Sequence, residues 1–369
     1  MITIHDKTEK TFDTIGLGVL SPSYCTISEE LNGLYELELE QYYDAKGMWQ
    51  YLALENIVAA PTPMGIQPFR IYRVNPNMEA VHIYARHVFY DLLDNMILEC
   101  DLNALSAEEA LQAIDTSLEL KQGFTFDTDI AHTMPGHFTL NKINAVEALI
   151  GSYTKGAPDE KAQYENRSFI SMYRGEIVRD GFHISFLEKR GKDRGFEIRY
   201  GKNLTALQVD EDYSDIVTRI YPFGRNGEKY SKKYVDSQRV KDYLYPKSVV
   251  IVFSGLEEYN DSLLETAAGQ TFYFDQPDIP KVNIKVDFEM LSNLECYERY
   301  QYLEKLYLGD TIKVVNEKMR FEATSKVIAY QWDAIAQKYN SIEMGSLKNS
   351  LIDYIQGGGF VPSNGTIVS

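Results

Sequence analysis

Cysteine is scarce in this chain of 369 residues; Cys25, Cys100 and Cys296 are the whole set. They are odd in number, far apart and free of any Cys-x-x-Cys spacing, which disfavours a disulfide framework or a zinc ribbon. Three small buried side chains are expected instead. Long apolar runs are also missing. None approaches the roughly 20 residues needed to cross a bilayer, so no membrane insertion by this chain is expected. The opening Met1-Ile2-Thr3-Ile4-His5-Asp6 has neither a basic nor an apolar leader region, which reads as synthesis and assembly in the cytoplasm.

Basic residues are the third shortage. Lysine and arginine number 37 against 54 aspartates and glutamates, a formal charge of −17. Nucleic-acid binding needs clustered lysine and arginine to neutralise phosphates. The nearest approach to a cluster is Lys189-Arg190-Gly191-Lys192-Asp193-Arg194, whose glycine and aspartate read as a turn.

Catalytic signatures are lacking as well. Gly16-Leu17-Gly18 begins like a dinucleotide loop, but Ser21 stands at the third glycine position. Gly201-Lys202-Asn203 ends like a phosphate loop, without its leading glycine or the hydroxyl residue after the lysine. Neither supports nucleotide binding. His132 and His137 lie close in sequence but have no third ligand and no His-Glu-x-x-His pattern. A loop between strands is the plainer reading, and the sequence leaves a metal there open. His82 and His87 have opposite parity on a strand and cannot share a face. No Gly-x-Ser-x-Gly elbow is present. Cys296 has no histidine after it, and Cys25 and Cys100 lack thiol-protease surroundings. The many carboxylates could hold a glycosidase pair, but sequence alone sets no separation between them. No catalytic, cofactor-binding or metal residue is assigned, and no cofactor is expected.

What the chain has in quantity is tyrosine, 27 copies. Tyrosine suits half-buried strands and interfaces, because the ring packs while the hydroxyl stays wet. Strands come first. Tyr35-Glu36-Leu37-Glu38-Leu39-Glu40 alternates, with Leu37 and Leu39 on one face. Phe69 to Val74 and Val81 to Ala85 flank a turn at Asn75-Pro76-Asn77. Several short strands with Gly/Pro turns suggest a small barrel or sandwich. Then the texture changes. Ser106-Ala107-Glu108-Glu109 is a capping box, followed by Leu111, Ile114 and Leu118 at helical spacing. A short helix is expected from Ala145 to Ile150, stopped by Gly151. A polar loop follows at 153–163. Asp180-Gly181 marks a hairpin turn, and Phe182, Ile184 and Phe186 alternate behind it. Strands are expected at 196–200 and 204–222, closed by a Tyr221-Pro222-Phe223-Gly224 turn. Leu291 to Leu306 reads as a helix. Strands return at 311–315, 321–324 and 326–330. Gly357-Gly358-Gly359 has linker composition.

One order of short motifs is more specific. It runs Leu31-Asn32-Gly33-x-Tyr35-Glu36-Leu37, then Gln67-Pro68-Phe69-Arg70-Ile71-Tyr72, then Gly175-Glu176-Ile177-Val178-Arg179-Asp180. Arg190-Gly191-x-Asp193-x-Gly195, Arg199-Tyr200-Gly201-Lys202-Asn203-Leu204 and Thr218-Arg219-Ile220-Tyr221-Pro222-Phe223-Gly224 follow. Leu308-Gly309-Asp310-Thr311-Ile312-Lys313-Val314 completes it. Over roughly residues 1–350 this resembles the N-terminal region of phage minor structural proteins, also called tail-associated lysin or prophage endopeptidase tail proteins, of Gram-positive phages and prophages. The shared positions read as turn and cap residues: the glycines, Asn203 and Asp310.

The resemblance implies an α+β, β-rich hub fold similar to that of contractile-tail phages, with two small β-barrels and inserted α+β domains. The division it suggests is a first barrel at 1–95, an insertion at 96–199, a second barrel split between 200–245 and 306–347, an insertion at 246–305, and a tail at 348–369. It further implies a structural homotrimer at the virion tail tip, assembled in the host bacterial cytoplasm. Its neighbours would be the distal tail protein, the tail tube and the tape-measure protein. A fibre or lysin module would follow at the C-terminus, and DNA would pass through without specific binding. The family name's "endopeptidase" is not expected to transfer to this chain. A peptidoglycan-cleaving tail enzyme and a carbohydrate or receptor-binding module are the alternatives.

Overall fold

A computed structural model describes residues 1–103, 105–131, 133, 137–151, 168–253, 259–288, 306–345 and 365–368. The chain is β-rich with few helices. Its first part contributes β1 (Thr3–His5), β2 (Gly18–Val19), β3 (Tyr24–Glu30), β4 (Tyr35–Tyr42), β5 (Ile57–Thr62), β6 (Gly65–Pro76) and β7 (Ala80–His87). They pair antiparallel in the order β3-β4-β7-β6-β5-β1-β2. The alternation in β4 works as expected: Leu37 and Leu39 are fully buried, and the glutamates between them face outward. Asn77 makes the β6–β7 turn, its side-chain oxygen accepting from the amides of Glu79 and Ala80.

The next part holds β8 (Met96–Asn103), α1 (Ala107–Thr116), β9 (Thr125–Thr128), β10 (His137–Asn144), α2 (Ala145–Ile150), α3 (Phe169–Tyr173), β11 (Glu176–Asp180) and β12 (His183–Leu187). The capping box at Ser106 and Glu109 forms. Asn144 caps α2 and Gly151 ends it. In the β11–β12 hairpin, Asp180 pairs with His183, so the loop residues are Gly181 and Phe182. Gly181 takes the left-handed conformation that such a turn needs, with φ +57°.

The last part supplies β13 (Asp193–Arg199), β14 (Leu204–Asp212), β15 (Arg219–Gly224), β16 (Val235–Asp236), β17 (Ser248–Phe253), α4 (Asp261–Asp275), β18 (Lys281–Phe288), β19 (Thr311–Asn316), β20 (Phe321–Asp333), β21 (Lys338–Gly345) and β22 (Gly365–Val368). β20 joins the two halves of the main sheet. Residues 321–326 pair with β19, residues 329–333 pair with β3, and β21 runs along the strand's other edge. Beyond these, β13 lies parallel to β19, while β21 continues to β18 and β14.

Strand pairing runs across the expected boundaries of the second half. β13 joins the sheet although it lay in the expected 96–199 insertion, and β18 joins it from within 246–305. Residues 204–212 reach β20 through β18 and β21, and residues 329–333 pair with β3 in the first part of the chain. Tyr221-Pro222 lies inside β15 and closes no turn. Residues 219–253 leave the main sheet for a separate four-stranded one, ordered β16-β15-β17-β22. Residues 365–368, expected to be tail, form the edge strand beside β17. The helix expected at 291–306, the 153–163 loop and the glycine linker fall outside the described residues, Leu306 excepted.

Two apolar cores follow this division. The larger runs from Ile2 through Phe169 and Phe186 to Met344 and underlies the whole main sheet. The smaller contains Val217, Ile220, Ile251, Phe253, Leu264 and Ala268, with α4 packed on the small sheet. The small unit leaves the main sheet along β14 and returns along β18, two strands paired to each other throughout their length.

Candidate functional site

The densest group of buried charge lies where β3, the β11–β12 hairpin and β20 meet. Cys25, Ile27 and Glu29 point inward together on β3, so strand parity carries a carboxylate into the core. The Nη1 of Arg190 donates to Glu29 Oε1 at 2.8 Å, and Tyr330 donates to Oε2 at 2.7 Å. Arg179 stands 3.5 Å from the same carboxylate. Its Nη1 and Nη2 donate to the carbonyls of Gly33 (2.6 Å) and Glu30 (3.1 Å). Burial alone would raise the Glu29 pKa, but Arg190 and Arg179 outweigh it and hold the carboxyl below its usual range. The group is ionic and spans about 300 residues of sequence, since Glu29 and Tyr330 are 301 apart.

A second layer surrounds it. His87 accepts from Phe89 N at Nδ1, so the proton sits on Nε2, which donates to Gln67 Oε1 at 3.1 Å. Gln67 in turn donates to Asp180 and accepts from Gly181 N. Burial, with Arg179 nearby, pushes the His87 pKa well down, so the ring stays neutral and stacks on Tyr35. Asn32 clamps the hairpin with both amide atoms, donating to Gly175 O and accepting from Ile177 N. Lys326 pairs with Glu176.

Two of the motif glycines, Gly191 and Gly309, meet beside Arg190. A Cβ on Gly191 would lie 1.8 Å from the Gly309 carbonyl, and Gly309 itself has φ +88°. Asp310 is buried and ties the crossing: it accepts from Lys192 N, Arg194 Nε and Tyr307 N. Asn203 accepts from Arg199 N and donates to Glu197 O. The residues quoted as turn and cap positions therefore do that work, and they hold three distant segments together. Sequence reading missed Glu29, Arg179 and Tyr330. The signal available was a charged residue at an inward strand position, twice.

One serine-histidine-carboxylate grouping exists among the described residues. His183 Nε2 is 3.4 Å from Asp127 and 3.4 Å from Ser185 Oγ, while Nδ1 is 2.8 Å from Thr125 Oγ1. A hydrolytic triad needs the serine and the carboxylate on opposite ring nitrogens. Here both share one nitrogen, on an exposed strand face, so the grouping does not form a charge-paired general base. No group of histidine, cysteine, aspartate or glutamate among the described residues could hold a metal ion. His132 and the side chain of His137 lie outside them. His82 and His87 do separate as their parity requires, His87 buried and His82 half-buried. Cys25 and Cys100 are buried free thiols whose pKa values burial raises, which makes both poor nucleophiles. Gly201 sits in a turn with φ +78°, while Gly18 belongs to β2 and Gly16 bridges to Ile4, so neither glycine pattern forms a phosphate-binding loop.

The fold is that of phage tail proteins. It matches prophage tail protein gp18 from Listeria monocytogenes EGD-e with TM-score 0.62 and 15% identity, over 95% of this chain and 96% of that one. It also matches the 43 kDa tail protein of prophage MuSo2 from Shewanella oneidensis, with TM-score 0.60 and 10% identity over 88% and 94%. A tail protein from Neisseria meningitidis MC58 gives TM-score 0.57 and 8% identity over 94% and 96%. Residues 192–355 match the model of the family described as prophage endopeptidase tail, which bears out the resemblance drawn from the motifs of that region. Comparison with curated protein sequences gives no significant match.

Proposed function

We propose that the chain is a structural hub subunit at the tip of a phage or prophage tail, with no catalytic site of its own. One observation carries this reading: the motif residues of the family-matched region are consumed in welding the fold together. The whole-chain fold match to the Listeria prophage tail protein supports it.

On this reading the two halves of the main sheet are two barrel-like units per chain, one from β1–β7 and one from β13, β14 and β18–β21. Three chains would then present six such units. That number fits a six-fold tail tube above and a three-fold tip below, and closed symmetry is the norm for such assemblies. The partners are the distal tail protein, the tail tube and the tape-measure protein, with a fibre or lysin module beyond the C-terminal end. Sedimentation and an electron-microscopy envelope of the full chain test this. A three-fold ring supports the hub. A compact monomer at every concentration, together with clearing on a cell-wall zymogram, would replace it with the enzyme reading.

A further inference from the structure

Asparagine followed by glycine occurs at 32–33, 226–227 and 364–365. In such a pair the glycine nitrogen can attack the asparagine side-chain carbonyl carbon. A C–N bond forms, the nitrogen's proton passes to solvent, and ammonia leaves. Water then opens the cyclic imide at either carbonyl, giving aspartate or isoaspartate. Glycine favours the attack because no side chain shields its nitrogen and its backbone adopts conformations closed to other residues.

The fold separates two of these pairs sharply. Asn32 is locked: its Nδ2 donates to Gly175 O at 2.9 Å and its Oδ1 accepts from Ile177 N at 2.8 Å. Any approach to its side-chain carbon breaks the clamp on the β11–β12 hairpin beside the buried Glu29 group. Asn226 sits instead in an exposed turn of the small unit, between β15 and Tyr230. Its Nδ2 holds one bond, to Glu228 Oε1 at 3.1 Å. The Gly227 amide is held only by Gly224 O at 3.0 Å. A Cβ at Gly227 would meet nothing within 4 Å, and residues 225–227 are exposed, so no packed neighbour restrains the turn there.

We propose that Asn226 is a site of spontaneous deamidation and that its conversion opens the 224–228 turn. The argument for the second step is electrostatic. Asn226 donates to the Glu228 carboxylate twice, from its backbone N at 2.8 Å and from its side chain. Deamidation turns the side-chain donor into a second carboxylate facing the first, an arrangement that disfavours two charges at hydrogen-bond distance. Glu228 must then swing away. It currently covers Gly224, where an added Cβ would lie 2.4 Å from Glu228 Oε2 and 2.5 Å from the Tyr259 ring. Tyr259 packs on the small core, so the opening reaches the unit's apolar interior.

The test is to hold the full-length folded protein in mildly alkaline buffer, digest it and follow the peptides by mass spectrometry. A parallel sample is kept in denaturant. The expected result is a mixture of aspartate and isoaspartate at 226, forming several-fold faster than any conversion at 32 in the folded sample, with the difference lost in denaturant. Equal rates at 32 and 226 in the folded protein, or an amide at 226 that persists until the chain is unfolded, would overturn the assignment. The consequence is checked separately with Asn226→Asp, which needs no ageing. Faster amide hydrogen exchange at Gly224 and Gly227 than in the parent supports the opening, and unchanged exchange there refutes it. Asn226→Gln, which keeps the amide, is expected to exchange more slowly than Asn226→Asp.

Discussion

Gly191 and Gly309 cross so closely that neither tolerates a side chain, and the crossing joins segments more than a hundred residues apart. Gly191→Ala would drive a methyl group into the Gly309 carbonyl. Overpacking of this kind costs about 1–3 kcal/mol, with no flexible side chain available to yield. Gly181→Ala is the matched control, because a Cβ there meets open space and only the φ of +57° is strained. Thermal denaturation is expected to show the larger loss for Gly191→Ala. Equal losses would mean that the crossing relaxes freely. The buried carboxylate gives a second residue-scale expectation. Glu29→Gln leaves Arg179 and Arg190 buried without their counter-charge, and breaking a buried pair costs on the order of 3–5 kcal/mol. The pH dependence has two windows. His87 and His5 have lowered pKa values in the fold. The unfolded chain therefore takes up protons first, and stability begins to fall as the pH drops below about 6.5. Glu29 is also lowered, so its contribution is present above the ordinary glutamate range and is lost only as the pH falls through that range and below. Denaturant midpoints measured across pH should show both steps, and Glu29→Gln should shrink the more acidic one, which other carboxylates with lowered pKa values share, and leave the histidine step in place.

Elements differ in how far the sequence announces them. The α1 cap was legible because a capping box is local: Ser106 and Glu109 are three residues apart and satisfy each other. Ser106→Ala is expected to cost about 0.5–2 kcal/mol, read as faster hydrogen exchange through the first turn of α1. The alternation of β4 was legible for the same reason, since Leu37 and Leu39 need no knowledge of their partners. Pairing was not legible. β18 alternates as clearly as β4 in Val282, Ile284 and Val286, yet its neighbours are β14 and β21, far off on either side in the sequence. Nothing local distinguishes a strand that returns to the main sheet from one that stays in an insertion. The Glu29 group was hidden for a related reason: its arginines arrive from 150 and 161 positions away. The two cores lead to an expectation at this scale. Phe253→Ala should speed exchange in β15 and β17 while leaving β3 and β4 protected, because Phe253 belongs to the smaller core alone. Uniform loss of protection would show that the two units unfold together.

For the whole molecule, the charge balance constrains what the proposed ring can do. A ring on the path of the genome must let DNA pass without holding it. Each phosphate neutralised by lysine or arginine adds salt-sensitive affinity, so a basic lining would trap the duplex in transit. An acidic lining repels it, over a range limited by screening to about 8 Å at physiological salt. The chain's −17 suits that role, although acidity also serves solubility. The two explanations separate by location. If solubility alone sets the charge, carboxylates should be spread over the outer surface and the inner surface of the ring need carry no excess. If passage sets it, carboxylates must outnumber lysine and arginine on the surface lining the channel. The expected outcome is no detectable DNA binding by the assembled protein in a gel-shift assay at moderate salt, together with an acidic lumen once the ring is imaged. Reversing several lumen carboxylates to lysine should then create salt-sensitive binding where equal numbers of reversals on the outside create less. Micromolar affinity of the parent protein for duplex DNA would defeat this account of the charge and count against a ring through which the genome travels.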